Sequence, residues 1–158
     1  MRRLACAVLL LATPAAGASF YAAGFSGAYD HAVALDAQDR VVGCRASARM
    51  ADGLAVRLER WAGEEGLRLS LQSDRAFDIH MAPVDVVADG RLFDLPRART
   101  SADRPDLSPL GAVSMRLSAE AAAALARARD PEIDAQGHRL SLPAGLSSAV
   151  RFLAACGV

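Results

Sequence analysis

The sequence predicts a mainly β or α+β domain: a small antiparallel β-sandwich or sheet with two short helices in its C-terminal third. Three observations predict it. Between residues 27 and 95 apolar side chains recur at every second position in short runs. Those runs are separated by clusters of Gly, Asp and Pro that suit turns. After residue 112 the period changes twice from that of a strand to that of a helix.

The chain opens "MRRLACAVLLLATPAAGASF", with two arginines, an apolar run over residues 4–12 and then the small residues Ala16, Gly17 and Ala18. That order reads as a secretory signal peptide over residues 1–18, leaving residues 19–158 as a single exported domain. The apolar run is too short to span a bilayer, and Cys6 reads as part of the signal. No later stretch approaches a transmembrane length, so the mature chain is expected to have no transmembrane segment.

Strand alternation starts with Tyr29, His31, Val33 and Leu35, while Tyr21, Phe25 and Tyr29 are counted as the few other aromatics outside the apolar faces of the strands. "DAQDR" turns the chain into "VVGCRASARM", whose even positions Val42, Cys44, Ala46, Ala48 and Met50 share one face. "LAVRLERW" and "LRLSLQ" alternate around the loop "AGEEG", with Trp61 at the end of one arm expected to cover an edge of the core. "FDIHM" alternates again, and Asp89-Gly90 in "VDVVADGRLFDL" is a two-residue hairpin turn.

"AVSMRL" reads as a strand leading to a helix with Ser118 as N-cap, Glu120 in its first turn, and Arg127 and Arg129 in its last. Asp130-Pro131 ends that helix, and "EIDAQGHRLSL" is a strand pair. Pro143 suits the start of a closing helix, on which Leu146, Ala149, Val150 and Leu153 share one face. Cys156 continues that face. "RLSAEAAAALARA" and "RLSLPAGLSSAVRFLAAC" look like a loose duplication of one strand-plus-helix unit.

Once Cys6 is removed, Cys44 and Cys156 remain as an even pair in an oxidising compartment, which predicts one disulfide. Both cysteines point inward on their elements, so the bridge staples the closing helix to an early strand. All 18 basic residues other than histidine are arginine, a composition of GC-rich bacterial genomes, and this directs the expectation to a periplasmic or secreted location. Removing Arg2 and Arg3 leaves 16 arginines against 18 acids. A mature chain of that balance is not expected to bind nucleic acid, which calls for a clustered basic surface.

Chemistry-bearing residues are sparse. Asp78 and His80 project from one strand face, the pattern of an exposed polar edge and also of a first step toward a metal or general-base site. A metal needs further ligands, for which His31, Asp85 and His138 are the recruits. No G-x-S-x-G and no phosphate-cradling glycine loop is present, so no catalytic residue and no cofactor is assigned. Residues 96–111, "PRARTSADRPDLSPLG", form a long aperiodic connection in which Arg97, Arg99 and Arg104 suit the gripping of a carboxylate or phosphate.

Residues 113–156, "VSMRLSAEAAAALARARDPEIDAQGHRLSLPAGLSSAVRFLAAC", resemble the C-terminal part of small periplasmic proteins of the invasion-associated locus B type. The resemblance implies a secreted β-sandwich without cofactor, linked in some bacteria to contact with a host cell. It transfers no functional residue, and the chain departs from that pattern in its two mature cysteines and in lacking an N-terminal tryptophan motif. The leading expectation is therefore an exported, disulfide-stapled binding domain whose partner is a protein or cell-envelope component. Two alternatives stand beside it: a small envelope metal-binding protein or hydrolase using Asp78 and His80, and a structural envelope protein.

Overall fold

The computed structural model describes residues 18–50, 53–73, 84–94, 112–135 and 138–158. Six antiparallel strands form the first sheet: β1 (Ser19–Ser26), β2 (Tyr29–Leu35), β3 (Val41–Arg49), β4 (Leu54–Trp61), β5 (Leu67–Ser73) and β8 (Ala112–Leu117). Between β5 and β8 in sequence lie β6 (Val84–Ala88) and β7 (Arg91–Asp94). With β9 (Pro131–Ala135) and β10 (His138–Ser141) they form a second sheet, in the order β10-β9-β6-β7. Helix α1 (Ala119–Arg127) follows β8, and α2 (Leu146–Ala154) closes the chain. The two antiparallel sheets make a sandwich-like arrangement with the helices in the C-terminal third, as the two periodicities predict.

The inward face of the first sheet grades from small to large. On β3 it carries Cys44, Ala46 and Ala48, and on β4 and β5 it carries Val56, Leu58, Leu69 and Leu71. Alanine side chains let a helix approach the backbone, and α2 lies there, against β1 to β4. Its buried stripe is the predicted one of Leu146, Ala149, Val150 and Leu153. α1 packs on α2 and reaches β6, so that Val86, Phe93 and Ile133 of the second sheet join the same apolar cluster.

Three local devices fix the closing helix. Cys44 and Cys156 are disulfide-bonded with Cα atoms 6.2 Å apart. Arg60, the cross-strand neighbour of Cys44, donates from Nη1 to the Ala154 carbonyl at 3.3 Å, a cation placed at the negative end of the helix dipole. At the other end of α2, Gly27 and Gly145 approach each other backbone to backbone with φ of 58° and 101°. A Cβ on Gly145 would stand 2.2 Å from the Ser26 carbonyl oxygen, so glycine is required for the β1–β2 turn to dock on the helix. The Ala28 amide donates to the Ala144 carbonyl at 2.9 Å across that junction.

Several sequence expectations are met in detail. Asp89 and Gly90 both take positive φ, 49° and 78°, in the hairpin between β6 and β7. Ser118 caps α1 by accepting from the Ala121 amide at 3.1 Å, with Glu120 in the first turn and Arg127 in the last.

Others are corrected, Tyr29 among them, since it is fully buried in the core on the inward face of β2. Ser19–Ser26 is a strand, hidden in the sequence because it is an exposed edge whose register shifts between Ala22 and Gly24 and so breaks the two-residue alternation. α1 ends at Arg127, and the Arg129 amide instead donates to Asp89 Oδ1 at 3.0 Å. α2 starts three residues past Pro143, since Gly145 in the left-handed region sets its N-terminus.

Candidate functional site

Antiparallel register turns the outward face of the six-stranded sheet into a grid. One row runs Phe25, Asp30, Ser47, Arg57, Ser70 and Ser114 from β1 to β8. The next runs Ala22, Ala32, Arg45, Glu59, Arg68 and Arg116. Arg49 extends the face below Ser47, and Phe20 and Trp61 close it above Arg45. Neighbours in such a row have Cβ atoms about 5 Å apart, close enough for long side chains to act together.

Glu59 organises one corner. Its carboxylate accepts from Arg45 Nε at 2.7 Å and from Trp61 Nε1 at 3.2 Å, and the residue is buried. The Arg45 guanidinium lies 3.6 Å from the centroid of the Phe20 ring, which meets Trp61 edge-on at 5.7 Å. Trp61 lies over Gly43, where a Cβ would come within 2.6 Å of the indole, so its ring packs on the outward face and not against an edge of the core. The sequence expectation for Trp61 is corrected accordingly. The cause is alternation: Trp61 is three residues from Leu58 and falls on the face opposite to it.

With Glu59 committed to Arg45 and Trp61, Arg57 makes no ion pair among the described residues. Its pKa is lowered, first by burial and then by the Arg45 charge, while Glu59 opposes the shift. The side chain sits between Ser47 and Ser70, and Ser70 Oγ lies 2.9 Å from Ser114 Oγ. Arg68 pairs with Glu64 of the β4–β5 loop, while Arg49 and Arg116 are exposed. Five guanidiniums thus share a face whose strands carry two carboxylates, those of Asp30 and Glu59. A half-buried guanidinium flanked by hydroxyls suits an incoming oxyanion, because its forked donors match a carboxylate or phosphate in the plane.

Of the residues that the sequence singles out, those that the structure describes lie away from this face. Asp78 and His80 lie outside the described residues, as do Arg97, Arg99 and Arg104. His31 is on the inward face of β2, Asp85 is on the second sheet and His138 begins β10. Among the described residues no group of three or more His, Cys, Asp or Glu could hold a metal ion. His31 instead joins elements: its Nε2 is 2.8 Å from Ser26 Oγ, and its ring stacks on Phe152 of α2 with centroids 4.2 Å apart.

The arginine face is legible in the sequence only as the residues between the apolar positions of "CRASARM", "LAVRLERW", "LRLSLQ" and "AVSMRL". Which of them align across strands is a matter of register. No helix among the described residues is long and apolar enough to cross a membrane. No protein-family model matches the chain, and comparison with curated proteins and with solved structures finds no match in either.

Proposed function

We propose that the chain is an exported, disulfide-stapled binding domain that receives an acidic protein surface of the cell envelope on the outward face of its six-stranded sheet. The observation that carries this reading is Arg57, a half-buried cation without an ion pair among the described residues and surrounded by further arginines. Holding such a charge partly out of water is costly, and a carboxylate arriving from a partner offsets that cost. The signal-like N-terminus and the Cys44–Cys156 bridge support an oxidising compartment. The serines of the central row supply hydroxyls without competing charge.

The test places a photo-crosslinking amino acid at the exposed position Arg49 and irradiates living cells. The expected result is an adduct with an envelope protein that disappears with Arg57→Glu and survives Arg151→Glu, the same charge change on α2. An adduct equally insensitive to both reversals, or equally lost with both, rules the face out as the binding surface.

A further inference from the structure

β1 is the end strand of its sheet, and its sequence SFYAAGFS contains no charged residue and no proline. Exposed edges are ordinarily guarded by lysine, proline or inward-pointing charge, because their unpaired amides and carbonyls accept another strand. Among the described residues no strand pairs with its outer side, and the edge is aromatic. Phe25 is 81% exposed, Tyr21 52% and Phe20 36%.

The register shift between Ala22 and Gly24 gives the strand an uncommon symmetry. Phe20 lies opposite Ala34 of β2, and Phe25 lies opposite Asp30. Ala34 and Asp30 are on one face, so Phe20 and Phe25 share it although they are five residues apart. Likewise Tyr21 pairs with Val33 and Gly24 with His31, which places both on the inward face. Without the bulge, residues five or three apart would fall on opposite faces.

From this we infer that β1 is the seat of a second copy of the chain, paired antiparallel through β1 about a two-fold axis passing between Ala22 and Ala23. In that register Phe20 of each copy stands opposite Phe25 of the other, and Tyr21 stands opposite Gly24. Both matches hold face for face. A Cβ at Gly24 would meet no atom within 4 Å, so the space above it is open to the tyrosine ring of the second copy. An aromatic side chain laid across a strand glycine is a stabilising pair, as is a cross-strand pair of phenylalanines. A two-fold interface must be self-complementary, and an uncharged strand brings no like charges together on its own axis. The two sheets become one of twelve strands, and both arginine faces lie on the same side of it.

Sedimentation of the exported protein over a range of concentrations, with Phe25→Asp alongside, tests this. Phe25 is so exposed that the substituted chain still folds as a monomer, and each dimer loses two aromatic pairs. The expected result is a reversible dimer whose dissociation constant rises about tenfold or more in the variant. A photo-crosslinker at residue 25 is expected to join residues 18–22 of a second copy in the otherwise wild-type chain. A monomer at every concentration overturns the inference, as does a dimer indifferent to Phe25→Asp. Crosslinks that map away from β1, or that join residue 25 to a different protein's extended segment, overturn it as well.

Discussion

His31 shows how one side chain reports on packing. It is 9% exposed, held between Ser26 and the Phe152 ring, and its pKa is lowered by burial with Asp30 opposing. The neutral form is therefore the one the folded chain prefers. Above the unfolded histidine value of about 6.5 both states are neutral and His31 adds no pH dependence. As pH falls below that value the unfolded chain takes up the proton first, so stability drops until the depressed folded value is passed. Urea unfolding of wild type and His31→Gln between neutral and mildly acid pH is expected to show a slope in the wild type that the variant loses. Equal slopes would mean that the proton is taken up elsewhere. Tyr29, buried beside this site, has a hydroxyl with no hydrogen-bond partner among the described residues, and burial raises its pKa well above the ordinary phenol value.

At the scale of elements the closing helix is the informative case. α2 has no side-chain cap at its N-terminus, and what holds it is its apolar stripe, the Gly27–Gly145 junction, Arg60 and the disulfide. The bridge closes a loop with a sequence separation of 112 residues. Removing a bridge of that span costs about 2–5 kcal/mol, because the unfolded chain regains the freedom that the bridge denied it. The double variant Cys44→Ser, Cys156→Ser is expected to unfold at lower urea concentration. Its α2 amides should lose hydrogen-exchange protection ahead of those of α1, which keeps its Ser118 cap. Uniform loss of protection across both helices would show that the bridge acts on the whole fold and not on α2 in particular.

For the whole molecule, one apolar cluster runs from the six-stranded sheet through both helices to Val86, Phe93 and Ile133 of the second sheet. Shared burial of that kind couples the two sheets, so the domain is expected to unfold in a single transition. The sole tryptophan, Trp61, reports on the outward face of the first sheet, while far-ultraviolet circular dichroism reports on every element. Their urea transitions are expected to coincide. A tryptophan transition at higher urea would show the second sheet opening first. Coupling also bears on the proposed binding, since the face of arginines keeps its spacing only while the strands beneath it stay in register.

By itself the sequence determined the features that local period and turn chemistry dictate. The inward faces of β2 to β5, the Asp89-Gly90 hairpin, the Ser118 cap, the α2 stripe and the inward aim of Cys44 and Cys156 are all of this kind, because each rests on residues a few positions apart. Only the tertiary structure decided the rest. β1 is not legible in the sequence because an edge strand buries little and its bulge shifts the parity that alternation depends on. Nor is the site, because Arg45, Arg57 and Arg68 become neighbours through cross-strand register. Glu59 is then drawn to one arginine and not another by where Trp61 and Phe20 fold over it. Such pairings join residues distant in the chain, and their geometry is set by how the strands align.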